Sequence, residues 1–367
     1  MNSNMDMIES LLAYGWWVAA ICIVVGFVAL VKGADWLVDG ASAIAKRFGI
    51  SDLVIGLTVV AFGTSMPEFV VNMVSVAEGS TDLAITNIVG SNIINTFVIL
   101  GLTALVYPIV SQKRSRDFDI PMSIIAGVLV LIFVAVQLPF GEAGKGIGHL
   151  GGGVLLAFFC YFLYNTFRNA KEGVKELRNE GVKELKNEGV KELRNEGVKE
   201  LKSEGVKELK SEGVKELTIQ RAIGLIIGGL VGLVVGGELI VKSAVDLATR
   251  MGVSEAIIGL TIVALGTSLP ELATSVIAAA KHNSDIAIGN VFGSNIFNVF
   301  FVLGTSAAIH PLPAYEGIEL DACMAAMGSI IVWLAVKTDK DRKVQRWAGA
   351  LLLIVYGGYL AYRLWEV

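Results

Sequence analysis

The sequence predicts an all-α polytopic membrane protein of ten transmembrane helices, arranged as two inverted five-helix repeats. Three observations lead there: an apolar composition, ten hydrophobic windows of membrane-crossing length, and an internal match at an offset of 203 residues.

Of the 367 residues, 54% are apolar and only 17% charged, and mean hydropathy is +0.66. That balance suits lipid as the solvent. Residues Lys171 to Leu217 alone hold 12 of the 30 bases and 12 of the 34 acids. The net charge of -4 therefore says little about partners, and no basic stripe marks a nucleic-acid footprint. Cys22, Cys160 and Cys323 lie far apart in apolar stretches, and His149, His282 and His310 follow no metal-ligand spacing. A disulfide scaffold and a zinc enzyme are both disfavoured. The apolar run near Leu11 follows acidic residues and outlasts a signal-peptide core, so it reads as a retained transmembrane helix.

A bilayer core takes about 20 apolar residues per helix. In the first half such windows fall near 14–34, 41–77, 83–107, 119–138 and 148–167; in the second, near 219–241, 244–280, 286–309, 318–336 and 346–364. Polar breaks separate them. Asp35 and Glu238, a matched acidic pair, are expected at the edges of their helices near the interface. Asp82 and Asp285 precede helices and read as N-caps.

Gly56 to Glu68 (GLTVVAFGTSMPE) aligns with Gly259 to Glu271 (GLTIVALGTSLPE), ten of thirteen residues being identical. The same offset aligns Asp82 to Gly101 with Asp285 to Gly304, with twelve identities in twenty. Chance similarity between apolar helices does not place Pro, Glu, Asn and Ser in register, so the chain is an internal duplication. An odd number of spans per half makes the second half enter the membrane inverted. Loop charge agrees: Gln112–Arg116, Arg168–Gln220 and Lys337–Arg346 are basic and fall on one side under this count. The positive-inside rule makes that side cytoplasmic and puts both termini outside, as expected of a multi-pass plasma-membrane protein. The domains are then residues 1–168, a charged low-complexity cytoplasmic linker at 169–218, and residues 219–367. The linker repeats GVKELRNE or close variants; each glycine weakens helix by about 1 kcal/mol, and a fluctuating helix or tether is expected.

Glu68 and Glu271 stand inside apolar helices, where a charge costs from about 3 kcal/mol upward unless it faces a cavity or partner. The plain alternative is a neutral carboxyl bonding between helices. Pro67 and Pro270 precede them and remove the partners of the Gly63 and Gly266 carbonyls. Neighbouring carbonyls, Thr64 and Thr267 included, are thereby able to turn toward a cation. Ala61, Thr64, Ser65 and Glu68 share a helical face, as do Ala264, Thr267, Ser268 and Glu271. In the next helix Asn87, Ser91 and Asn95 are matched by Asn290, Ser294 and Asn298. Packing and function are equally good readings of Asn87 and Asn290; the other four point to function. The set is all oxygen, which suits hard cations such as Ca²⁺ and Na⁺.

At these residues the chain resembles the calcium/cation antiporter superfamily, specifically prokaryotic sodium/calcium exchangers. GTSMPE at Gly63–Glu68 with GSNIIN at Gly90–Asn95, and GTSLPE at Gly266–Glu271 with GSNIFN at Gly293–Asn298, carry the resemblance. It implies ten helices in inverted repeats, with the first and sixth sliding across a rigid bundle. It implies a calcium site at Glu68 and Glu271 aided by the Thr64 and Thr267 carbonyls, and sodium sites using Ala61, Ala264, Ser65, Ser268, Ser91 and Ser294. Many relatives carry Asp where this chain has Asn298, so only two carboxylates remain here.

Charge balance gives the same mechanism: two carboxylates are neutralised by one Ca²⁺, two Na⁺ or two H⁺, and a gate closes most readily over a neutral site. A proton/calcium exchanger and a calcium-selective channel are the rivals; a membrane hydrolase lacks a visible nucleophile, base and oxyanion set. No cofactor, nucleic acid or protein partner is expected. The transported ions are Na⁺ and Ca²⁺, the solvent is the bilayer, and the protein is expected to be monomeric.

Overall fold

The computed structural model describes Ile8, Leu12 and residues 15–136, 145–168, 217–252 and 264–366. The first helix, α1, runs from Trp16 to Phe48 and ends at Gly49, whose φ of 65° is the left-handed conformation that glycine adopts without strain. Lys46 and Arg47 sit in its last turn, where they meet the negative end of the helix dipole. Asp52–Thr64 forms α2, capped by Ser51, and Met66–Ala77 forms α3; the two meet at Ser65 with a bend of 45°. There follow α4 (Thr81–Val106), α5 (Ser115–Ala135) and α6 (His149–Arg168). In the second half α7 spans Ile219–Arg250, α8 Leu269–Ala280, α9 Ser284–Ile309, α10 Ile318–Thr338 and α11 Arg346–Glu366.

Among the described residues, eight helices are long and apolar enough to cross a membrane, or nine with the bent pair counted as one span. The window expected at 244–280 falls partly on residues outside the described ones; its described end is the turn Ala264–Gly266 and α8. The expected linker at 169–218 lies almost wholly outside them.

Two expectations are corrected. The breaks placed near residues 35–40 and 242–243 do not interrupt the helices: α1 and α7 run 33 and 32 residues. Those segments hold no proline, and their charges find partners, so Asp35 and Glu238 sit within helices. Asp35 and Asp39 meet Lys281 at 2.7 and 2.6 Å, and Glu238 pairs with Lys242 one turn on. The N-caps are Ser80 and Asn283, not Asp82 and Asp285. Asn283 accepts from the Ile286 amide at 3.1 Å, and each Asp sits in the first turn, where the dipole favours it.

Burial sorts the bundle into layers. The apolar windows of α4 and α9 are 78% and 94% buried, whereas those of α1, α7 and α11 are 33%, 22% and 17% buried. The first pair is therefore the core, and the others turn Phe27, Ile227, Val231 and Ile354 outward. Helices α1 and α7 cross face to face on small residues. A Cβ on Gly33 would lie 2.7 Å from the Gly229 carbonyl oxygen, and one on Gly229 equally close to that of Gly33. Gly26 likewise meets Gly236, and Gly40 meets Ala222, so the contact register runs in opposite directions along the two helices. Only glycine permits so close an approach of two membrane helices. Short strands β1 (Ile109–Val110), β2 (Gly146–Ile147), β3 (Leu312–Pro313) and β4 (Lys343–Val344) tie loop ends together, β1 with β4 and β2 with β3.

Candidate functional site

Two proline-started helices, α3 and α8, deliver the acids. Pro67 and Pro270 each lie in a first turn, where a missing N–H is harmless, and Ser65 and Ser268 immediately before these helices share one conformation: φ −86°, ψ 7° and φ −90°, ψ 5°. Glycine stands just upstream, where α7 passes: a Cβ on Gly63 would meet the Leu230 side chain, and one on Gly266 the Val241 side chain. Glu68 and Glu271 then follow in the first turn, where the helix dipole favours a negative charge, and both are fully buried.

The other wall comes from α4 and α9. Each widens into a π-helical stretch, Ile94–Ile99 and Phe297–Leu303, at positions related by the 203-residue offset. Such stretches concentrate at functional sites because they rotate the side chains that follow. Asn95 and Asn298 are the second residues of these stretches and are fully buried; Ser91 and Ser294 lie one turn earlier, also buried.

Among the described residues the carboxylates form no ion pair. Glu271 Oε1 accepts from Ser65 Oγ at 2.8 Å and from Ser294 Oγ at 3.5 Å. Both Glu68 oxygens, Glu271 Oε2, Ser91 Oγ, Ser268 Oγ, Thr267 Oγ1, Asn95 Oδ1 and Asn298 Oδ1 are buried and accept or donate no hydrogen bond among the described residues. An unsatisfied buried polar atom costs about 1–3 kcal/mol, so three carboxylate oxygens and five neutral ones without partners mark a place with unused ligating capacity. Every one is oxygen. No group of three or more His, Cys, Asp or Glu assembles among the described residues, so the capacity rests on two charges and a surplus of neutral oxygens.

Some predicted residues have their side chains committed elsewhere. Thr64 Oγ1 lies 3.1 Å from the Val60 carbonyl and 3.0 Å from Asn290 Oδ1, and its hydroxyl also stands against the Glu271 carboxylate. Ala61 is buried against Gly293 of α9, and for Ala264 only the backbone turn is described. Asn290 donates to the Glu271 carbonyl at 3.1 Å and to Ser275 Oγ at 2.9 Å, and Asn87 donates to Asn72 Oδ1 at 3.1 Å. For these two asparagines, the structure shows bonding between helices.

Sequence reading missed Asn72 and Ser275, four residues beyond each Glu, although the offset makes that position polar in both halves. It also passed over Asn92 and Asn295, which stand inside the quoted motifs but off the four-residue spacing. Beside the site, a crevice of about 650 Å³ lined by Met66, Pro67, Gly237, Glu238, Thr267 and Pro270 runs between α3 and α7.

The family profile described as Sodium/calcium exchanger protein matches residues 18–168 and 221–365. The sodium/calcium exchanger MaX1 of Methanosarcina acetivorans is 32% identical over 359 residues, covering 93% of this chain and 97% of that one. Inner membrane protein YrbG of Escherichia coli is 34% identical over 298 residues, 80% of each chain. Among solved structures, one of the sodium-calcium exchanger NCX_Mj superposes with a TM-score of 0.72 at 28% identity, covering 94% of this chain and 98% of that one.

Proposed function

The chain belongs to the sodium/calcium exchanger family, within the prokaryotic branch of the calcium/cation antiporters, and from that premise we propose that it exchanges Na⁺ for Ca²⁺ by alternating access at one site centred on Glu68 and Glu271. It is a multi-pass membrane transporter and not an enzyme; family members move cations against calcium and need no cofactor.

The observation that supports the sodium reading is a surplus of neutral oxygens over what calcium alone uses. Ca²⁺ takes about 6–8 oxygens, and Ser91, Ser268, Thr267, Asn95 and Asn298 each add a neutral oxygen to those of the two carboxylates. The remainder suits a sodium ion, whereas a proton needs only a carboxylate. One Ca²⁺ or two Na⁺ neutralise the two acids, and a loaded, neutral site is the one a low-dielectric gate closes over. The loadings exclude one another, so the cycle exchanges. A third Na⁺ would bind through neutral oxygens and make the cycle electrogenic. Ala61, Ala264, Ser65 and Ser294 belong to the same proposed ligand set, together with the Thr64 and Thr267 carbonyls.

The proposed architecture has ten spans in two inverted halves, residues 1–168 and 219–367, joined by a cytoplasmic linker with both termini outside. Reciprocal contacts support it: Gly26 with Gly236 is the 203-offset image of Gly33 with Gly229. Strands β1 and β3 are likewise an offset pair, each bonded to a partner from the other half.

Proteoliposomes test the reading. An outward-directed sodium gradient, with no proton gradient, is expected to drive radiocalcium uptake. Uptake that ignores sodium but follows a proton gradient would assign the protein to proton/calcium exchange, and uptake without any counter-ion would make it a channel.

A further inference from the structure

Between the two central helices lies a closed set of amides. Asn92 Nδ2 donates to the Asn295 main-chain carbonyl at 3.1 Å, and Asn92 Oδ1 accepts from Asn298 Nδ2 at 3.2 Å. The mirror contact has Asn295 donating to Thr96 Oγ1 at 2.8 Å and accepting from Asn95 Nδ2 at 3.2 Å. Asn92 and Asn295 thus use both ends of their amides. Asn95 and Asn298 use only the nitrogen, and each leaves its Oδ1 buried and unpartnered.

The direction of this chain is fixed at its start. A main-chain carbonyl can only accept, so Asn92 must turn its NH₂ toward Asn295 and its oxygen toward Asn298. Asn298 must then answer with its own NH₂, and its oxygen is left pointing away from the amide chain. An amide that could rotate would show a cation its NH₂ as readily as its oxygen. We infer that Asn92 is a positioning residue: it touches no ion, and it holds Asn298 with the carbonyl oxygen presented to the cation.

This inference rests on the exchange reading of the same site, and its consequence is specific. Asn92 acts on calcium affinity only through Asn298. The test is a double-mutant cycle on the purified full chain, with calcium affinity read by titration calorimetry and folding by thermal melting. Asn92→Leu and Asn298→Leu keep the branched heavy-atom pattern of the side chain without its polar atoms and are each expected to weaken calcium binding by about tenfold, the equivalent of one modest ligand contact. The double variant is expected to match Asn298→Leu within about threefold, because nothing is left for Asn92 to orient. A merely structural role would shift the melting temperature and leave the two affinity factors to multiply to about a hundredfold.

Asn92→Ala, which removes the amide without adding bulk, supplies a second arm should the leucine variant not insert, and in the cycle with Asn298→Leu it is expected to behave as Asn92→Leu does. Multiplying factors in the cycle overturn the positioning role alone. No calcium binding by the unaltered protein overturns it together with the exchange reading.

Discussion

Ser65 Oγ donates a hydrogen bond of 2.8 Å to Glu271 Oε1, so the residue that breaks the helix in one half holds the carboxylate of the other. The offset image of this bond is not made: Ser268 Oγ and both Glu68 oxygens have no partner among the described residues. The two acids of the proposed site therefore stand in unequal surroundings. Removing the Ser65 hydroxyl takes away a bond to a carboxylate, of about 1.5–3 kcal/mol; removing that of Ser268 takes away none among the described residues. Ser65→Ala is expected to destabilise the protein more than Ser268→Ala, as thermal melting in detergent without added calcium or sodium would show. Equal melting shifts would contradict the asymmetry.

Glu68→Gln and Glu271→Gln each remove one of two charges from a site whose other oxygens are neutral. A Ca²⁺ bound to the remaining carboxylate leaves a net positive charge in a buried place, which is expensive. Both variants are expected to abolish calcium exchange while remaining folded and inserted. Radiocalcium uptake near that of the unaltered protein by either would remove the proposed site.

The glycine contact between α1 and α7 makes a packing prediction. At Gly33 or Gly229 a Cβ would press on backbone, which cannot rotate aside, whereas at Gly224 nothing lies within 4 Å. Gly33→Ala and Gly229→Ala are expected to destabilise by about 1–3 kcal/mol. Gly224→Ala, in the same helix as Gly229, is expected to be neutral or slightly stabilising, since alanine favours helix. Thermal melting of the three variants distinguishes the outcomes, and equal behaviour would refute the close approach.

Asn298→Asp places a carboxyl 3.2 Å from Asn92 Oδ1, where the amide now donates. Only the protonated acid can fill that role; once ionised, it repels Asn92 and adds a third negative charge that one Ca²⁺ cannot neutralise. Exchange by this variant is expected to follow that of the unaltered protein at low pH and to fall below it as pH rises. Measured calcium uptake with a constant ratio across pH would refute the geometry.

Some of this was legible in the residues alone. Apolar windows report solvent directly, and a helix places residues three and four apart on one face whatever surrounds it, so Glu68 with Ser65 and Glu271 with Ser268 could be grouped from spacing. The sequence offset supplied the relation between the halves, and the hard-cation chemistry followed from oxygen-only side chains around two acids. Helix ends were less legible: Asp35 and Glu238 looked like helix edges at the interface because charge is expensive in lipid, yet both lie within helices and Lys281 and Lys242 answer them. Those answers are contacts, not composition.

What the sequence by itself determined is therefore local or periodic: membrane residence, the duplication, the proline-broken helices and the acids they carry. Only the tertiary structure decided that Ser65 serves Glu271 across the halves, that Gly33 lies on Gly229, and that Asn92 meets the amide nitrogen of Asn298. The physical reason is that hydrogen-bond direction and steric contact depend on which helices become neighbours. Helical periodicity fixes the face a residue shares, but not the atom it meets.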